Sequence, residues 1–307
     1  MSVLSQTTIN NQVSFSGIGV HTGKNVSVNI LPASPNSGII FKRTDIKNDN
    51  IVIPNFQNVS DATLCTTISN HNGVKISTIE HLMAAFLGLG IDNVVVELDS
   101  QEVPIMDGSA KDFIKILKQA GLKNSGVPIK LIKINKSIEI EDEDKYISLN
   151  KSNTNLEIEF EINYKNQLIK TQKNKVNIFE DELNDVFNSR TFCLYEDIEK
   201  LKNLGLGKGG SLDNAIVVKD DKLLNSGGLR NEKEFVNHKI LDCLGDLYLV
   251  GYRLIGSLKC INGGHKLTNK LLRKVFSDNQ NYSLLEIKGK NLPHSLLNNH
   301  HYLKSIA

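Results

Sequence analysis

His238, Asp242 and Asp246 stand four residues apart in a segment, Asn231 to Gly251, whose apolar residues recur at helical spacing: Phe235, Ile240, Leu241, Leu244, Leu247 and Tyr248. Positions four apart stack on one face of a helix. The three polar side chains therefore form one stripe along an otherwise apolar helix. A neutral imidazole and a carboxylate one turn apart can grip a divalent metal, with a third ligand supplied from elsewhere. Three protein ligands and one open position make the arrangement of a catalytic zinc site. A helix-surface histidine flanked by solvated acids has the same spacing, and the motif alone does not choose between the two.

A partner for the stripe lies at Ser77-Thr78-Ile79-Glu80-His81-Leu82-Met83-Ala84-Ala85-Phe86, which reads as a helix start. Ser77 and Glu80 have the S-x-x-E spacing of a capping box. In a functional reading, His81 is the third metal ligand and Glu80 faces a water as general base. Cap and base compete for one carboxylate, and the residues leave both readings open.

Length and composition set the frame. A chain of 307 residues suffices for two ordinary domains with a sizeable core. Apolar residues at 40% and charged residues at 23% describe a globular protein. Cys65, Cys193, Cys243 and Cys260 form no C-x-x-C pair, and Met1 to Asn11 has neither a basic leader nor an apolar core. Reduced thiols in a cytoplasm are expected. The longest uncharged apolar run, Leu82 to Ile91, is too short to span a bilayer. The net charge of +2 is unevenly placed. From Gly251 onward, Arg253, Lys259, Lys266, Lys270, Arg273, Lys274, Lys288, Lys290 and Lys304 face only Asp278 and Glu286. Such a bias suits a diphosphate or an anionic membrane surface; an ordinary solvated basic face has the same composition.

Leu122-Lys123-Asn124-Ser125-Gly126-Val127-Pro128 is a polar Gly/Pro segment between a helical pattern and a new strand, and reads as a boundary between 1–124 and 128–307. Before it, Val13-x-Phe15 and Val26-x-Val28-x-Ile30 alternate as strands, and Asn70-His71-Asn72-Gly73 reads as a hairpin turn. A helix at Glu80–Leu89, a strand at Asn93–Leu98 and a helix at Ser109–Ala120 follow. After the boundary, strands at Ile129–Ile134, Ser137–Ile140 and Leu156–Ile162 precede the His238 helix, a strand at Arg253–Leu258 and a helix from about Lys266 to Phe276. The recurrence of helix, strand and helix suggests two similar α+β domains, with His81 and His238 in equivalent helices. Residues from about 192 to 228 have no counterpart in the first half. Gly205-Leu206-Gly207-Lys208-Gly209-Gly210 lacks the spacing of a phosphate loop; Ala215-Ile216-Val217-Val218 and Lys222-Leu223-Leu224 flank Lys219-Asp220-Asp221 as a short hairpin, and this helix-plus-hairpin insert by itself reads as a surface excursion.

Several motifs then follow one another at compatible spacings: Ile76-Ser77-Thr78-Ile79-Glu80-His81-Leu82; Gly88-Leu89-Gly90-Ile91-Asp92-Asn93; Pro104-Ile105-Met106-Asp107-Gly108-Ser109-Ala110; Ser189-Arg190-Thr191-Phe192; His238-Lys239-x-x-Asp242-x-x-Gly245-Asp246; and Gly264-His265-x-Leu267-x-Asn269-Lys270-Leu271. Together they resemble the UDP-3-O-acyl-N-acetylglucosamine deacetylases, zinc amidases of lipid A synthesis. The likeness runs from Gly17-Ile18-Gly19-Val20-His21-Thr22-Gly23 nearly to the C-terminus.

The resemblance implies two similar α+β domains, each a β-sheet layered with α-helices, facing each other across a metal-containing cleft. Domain 1–124 would supply Glu80 and His81. Domain 128–307 would supply His238, Asp242 and His265, with the insert 192–228 forming a hydrophobic passage for the acyl chain. His81, His238 and Asp242 would hold Zn2+, with Fe2+ as the alternative. Glu80 would be the base, and His265, held protonated by Asp246, the acid. Thr191 would donate to the oxyanion, and Lys239 would point at the nucleophile or the oxyanion. Phe192 and His21 would touch the acyl sugar, although a turn histidine is an equal reading of His21. His71, in a turn, and His294, His300 and His301, in a polar tail, are not assigned to metal. The implied substrate is UDP-3-O-acyl-N-acetylglucosamine, cleaved at the committed step of lipid A biosynthesis. A cytoplasmic monomer is expected, with no nucleic-acid partner, no transmembrane segment and at most transient contact with a membrane surface.

Two other classes share parts of this pattern. Two histidines and a carboxylate also form the triad of non-haem iron oxygenases, but Glu80 beside a ligand and the distant His265 suit hydrolysis better. A metal-stabilised binding module would need a closed four-ligand site, whereas three ligands and an adjacent base are present.

Overall fold

The computed structural model describes residues 5–153 and 155–287. The readings made for Lys288, Lys290, Lys304, His294, His300 and His301, and for the first residues of Met1–Asn11, lie outside the described residues. Six helices are present among those described: α1 (Glu80–Leu89), α2 (Lys111–Ala120), α3 (Asn184–Phe187), α4 (Tyr195–Asn203), α5 (Glu234–Leu247) and α6 (His265–Val275). None is long and apolar enough to cross a membrane.

The helices accompany two main sheets, giving the expected α+β class. The first sheet has five strands in the order Val13–Ile18, Asn25–Pro32, Val94–Leu98, Ile39–Arg43 and Ile51–Val52. Alternation buries Val26, Val28 and Ile30 along one strand and Val94, Val96 and Leu98 along its neighbour. Phe113 of α2 meets Phe15 of the edge strand edge-on at 5.6 Å. The second sheet has seven strands built around Arg253–Ile261, which pairs in parallel with Lys130–Ile134 and Leu156–Asn163 and antiparallel with Lys145–Asn150. Helix, strand and helix recur as α1, Val94–Leu98 and α2, then as α5, Arg253–Ile261 and α6. One hydrophobic core runs through both parts, from Phe41 and Phe86 to Phe160 and Phe235.

Two local readings are corrected. Leu122–Pro128 is a strand, paired antiparallel with Ser5–Ile9, because polar side chains do not prevent a backbone ladder at a two-stranded edge. Lys145–Asn150, Thr171–Asn177 and Tyr282–Glu286 are further strands. Thr171–Asn177 is almost wholly polar; its Lys173 and Lys175 pair with Glu159 and Glu157 across the ladder, a pattern that apolar alternation cannot reveal. In the insert, Phe192–Leu194, Ile216–Lys219 and Lys222–Leu223 form a three-stranded sheet beside α4, whose side chains are all at least partly exposed.

The site is set by the crossing of α1 and α5. Every residue of α5 except Lys239 is buried, and so is α1 apart from Gly88. The two helices touch where Gly245 faces the backbone of Glu80: a Cβ on Gly245 would lie 2.0 Å from the Glu80 carbonyl oxygen. Only glycine allows that approach. Gly245→Ala should force the helices apart and cost about 1–3 kcal/mol, as overpacked cores do. A lower midpoint in urea unfolding checks this, and an unchanged midpoint would contradict the close crossing.

Candidate active site

Thr78 sets the start of α1 with a φ of 58°, unusual for a β-branched residue. The buried carboxylate of Glu102 accepts from its hydroxyl at 3.2 Å. This turn carries Ser77 away from the helix, and its hydroxyl bonds the Gln101 carbonyl. The capping box is therefore not formed: Ile79 precedes the helix without a side-chain cap. The Glu80 carboxylate instead accepts from the Thr66 amide at 3.1 Å and faces the site.

His81, His238 and Asp242 converge as the sequence suggested. One ligand atom from each lies within 4.8 Å of the others, and all three residues are buried. Asp242 Oδ1 is 3.3 Å from His81 Nε2 and 3.4 Å from His238 Nε2. The chemistry of this donor set fits a cation. His238 Nδ1 sits 3.1 Å from the Ser189 carbonyl, an acceptor, so the proton is on Nδ1. Burial, first of all, and nearby positive groups push the His238 pKa down to about 3 despite Asp242. Its Nε2 therefore presents a lone pair to a carboxylate oxygen, an arrangement that a metal ion between them would make favourable. Lys239 Nζ donates to Asp242 Oδ2 at 2.7 Å, which leaves Oδ1 to the trio. That contact turns Lys239 toward Asp242, beside the trio. Although burial opposes ionisation of Asp242, His238, Lys239, His81 and His265 hold its carboxyl well below the usual range.

Glu80 and His265 flank the trio. His265 is the first residue of α6, where the helix dipole disfavours a positive charge. Its Nδ1 donates to Asp246 Oδ2 at 2.8 Å, and its Nε2 lies 3.7 Å from Glu80 Oε1. Burial works against the imidazolium, yet Asp246, Glu80 and Asp242 outweigh it and raise the pKa to about 9. Glu80 is raised from its ordinary value by burial, with His265 and His81 opposing. Sequence reasoning missed Thr66. Its hydroxyl donates to Asp246 Oδ1 at 2.5 Å, and its amide holds Glu80. One of several threonines in Thr63-Leu64-Cys65-Thr66-Thr67, ahead of a short strand, carries no local signal.

Thr191 and Phe192 lie next to the trio through the backbone of Ser189. The Thr191 amide bonds the Gly108 carbonyl at 2.8 Å, and the Phe192 ring stands 6.3 Å from that of His238 and 5.0 Å from that of Phe235. His21 sits apart, on a turn whose amides bond Glu102. Its carbonyl accepts from Lys208 of the insert. Among the described residues, no hydrogen bond or ion pair links His21 or Thr191 directly to the trio. Of the basic C-terminal residues, Arg253 is buried, Lys270 pairs with Asp142, and Arg273 and Lys274 bond backbone carbonyls. Much of that positive charge is thus spent within the chain. All four cysteines are free thiols.

Two imidazoles and a carboxylate beside a raised carboxyl and a charged imidazole are the equipment of a metal-dependent hydrolase. The chain belongs to the UDP-3-O-acyl N-acetylglycosamine deacetylase family, whose pattern it matches over residues 6–277. It is 42% identical over 292 residues to the UDP-3-O-acyl-N-acetylglucosamine deacetylase of Histophilus somni (strain 129Pt), covering 94% of this chain and 95% of the relative. The enzyme of that name from Chromohalobacter salexigens is 41% identical over 92% of this chain and 94% of its own. That from Vibrio parahaemolyticus is 42% identical over 91% and 92%.

Replacement of His81, His238 or Asp242 by alanine should each abolish retention of a divalent metal that the unaltered chain keeps through purification. Elemental analysis of the purified proteins checks this. A full complement of metal in His238→Ala would contradict the assignment.

Proposed function

We propose that this chain hydrolyses the acetamide of UDP-3-O-acyl-N-acetylglucosamine to acetate and UDP-3-O-acyl-glucosamine, the committed step of lipid A biosynthesis. The observation that carries the reading is the pairing of Glu80 with a charged His265 at 3.7 Å, beside three convergent metal ligands. His81, His238 and Asp242 would hold the metal, which when bound acidifies water and polarises the acetyl carbonyl.

The remaining work falls to side chains. Glu80 takes a proton from the attacking water; its raised pKa makes it a stronger base than a surface carboxylate. The water oxygen bonds the acetyl carbon, and the hydroxyl of Thr191 stabilises the charge that develops on the former carbonyl oxygen. His265 delivers its Nε2 proton to the sugar nitrogen as the C–N bond breaks. Asp246 keeps that imidazole charged and aimed, and Lys239 keeps Asp242 turned toward the metal position. Phe192 and His21 contact the acyl sugar, and the insert 192–228 wraps the acyl chain; Leu204, Leu212 and Leu224, exposed there, supply apolar surface.

The reading divides the chain into domains 1–124 and 128–307 and takes Zn2+ as the working metal, with Fe2+ as the alternative. It places the enzyme in the cytoplasm, where free thiols persist. A monomer suffices, since every residue named above comes from one chain. Contact with a membrane surface would be transient, resting on basic residues not engaged within the chain.

Glu80→Ala should lower acetate release by roughly 10²–10⁴-fold with metal retained. A near-normal rate would remove Glu80 from the chemistry. Rate against pH should be bell-shaped. As pH falls through the raised Glu80 pKa the base is lost, so the acidic limb lies above an ordinary carboxylate. As pH rises through the His265 value of about 9 the acid is lost. Asp246→Asn removes a negative neighbour, so the basic limb should move to lower pH and the maximal rate should fall. A basic limb that stays in place would break the Asp246–His265 link.

A further inference from the structure

The polar stripe on α5 begins one turn before His238, at Glu234, whose side chain is fully buried. That carboxylate accepts from Arg190 three times: from the backbone amide at 3.1 Å, from Nε at 2.8 Å and from Nη2 at 3.2 Å. It also accepts from the Arg230 amide at 2.6 Å, while Arg190 Nη2 donates to the Gly228 carbonyl at 2.7 Å. We propose that Glu234 and Arg190 form a positioning pair that sets both the orientation of His238 and the location of Thr191. The proposal rests on the reaction assigned above.

Arg190 lies between the two groups in question. The residue before it, Ser189, gives its carbonyl to His238 Nδ1 at 3.1 Å. The residue after it is Thr191, whose amide and carbonyl are tied to Gly108 and Ile216 at 2.8 Å each. Glu234 is thus one helical turn from His238 along α5, and through Arg190 it grips the loop that orients His238 from the other side. A lone carboxylate buried at this depth would be costly, and so would a lone guanidinium; the forked bond satisfies both. Because the guanidinium is planar and donates along two directions, it fixes the loop in angle as well as distance. Groups that orient a ligand in this way change metal affinity and rate when altered.

Glu234→Ala would strand the Arg190 charge and could unfold the chain. Two milder variants avoid this. Glu234→Gln keeps one acceptor oxygen where two are used, Oε1 by the Arg190 amide and Nε and Oε2 by the Arg230 amide, so it loosens the fork while keeping the side chain's size, and Arg190→Lys keeps the charge but loses the fork. Three quantities are measured on each folded variant: Co2+ affinity by titration of the metal-free protein, melting temperature, and kcat and KM for acetate release. The proposal requires at least one of the two variants to bind Co2+ about 10–100-fold more weakly, with a fall in kcat of about the same size at nearly constant KM. A pair that serves stability alone would lower the melting temperature and leave Co2+ affinity and kcat per folded molecule unchanged. If either Co2+ affinity or kcat stays within about twofold in both variants, the proposal is overturned. Should the unaltered chain release no acetate, the reaction assignment fails on that protein, and the Co2+ titration still decides the role of the pair.

Discussion

Glu80 and Gly245 meet backbone to backbone, and the site follows from that contact. A side chain at 245 would separate α1 from α5. With the helices this close, two consecutive residues at the start of α1 reach across to a stripe on α5: His81 toward Asp242, and Glu80 toward the His265 that Asp246 holds. His81, His238, Asp242, Glu80 and His265 are therefore all carried on helices packed in a continuous core, with His238 also held by the Ser189 carbonyl. Glu234, His238, Asp242 and Asp246 share one helical seam, so a shift of α5 along its axis would disturb all of them together.

The buried charges explain why so many groups around the trio are paired. Asp242, Asp246 and Glu80 lie together with His81, His238 and His265 in one buried volume. Burying charged carboxylates without partners is costly. Lys239 and a charged His265 offset part of that cost, and a divalent cation at the trio would offset more. The same balance separates the two working groups in pKa: His238 is held neutral near 3 and His265 charged up to about 9, though both are imidazoles on buried helices. Their neighbours differ. His238 faces one carboxylate, Asp242, offset by burial, His81 and Lys239, whereas His265 faces three, Asp246, Glu80 and Asp242.

Helix periodicity exposed the α5 stripe because each of its members is a polar residue among apolar ones at fixed spacing. The ordered motifs, including the Glu80–His81 step, then pointed to one family, and α1 runs over Glu80–Leu89 as the pattern suggested. What the sequence concealed has identifiable causes. The capping box at Ser77 and Glu80 looked sound, but the left-handed backbone at Thr78 cannot be read from a threonine. Thr66 and Glu102 act across long separations in the chain, so no local spacing marks them, and the motif that contains Arg190 does not show that its partner is Glu234. Glu234 carried a usable signal, one turn before His238, obscured by its place at the very start of the helix. The strand at Thr171–Asn177 is held by charged pairs across the ladder and shows no apolar alternation.

The central claim is that one metal-bearing site between α1 and α5 hydrolyses an acetamide. Acetate release from UDP-3-O-acyl-N-acetylglucosamine, measured together with metal content on one purified sample, tests it most directly. The protein is assayed as purified, after chelation to defined residual metal, and after stepwise addition of Zn2+. The account predicts release in proportion to occupancy of a single site per chain, lost on stripping and restored on refilling. Undiminished turnover in fully stripped protein would contradict it, as would a fully loaded protein that binds the sugar nucleotide and releases no acetate.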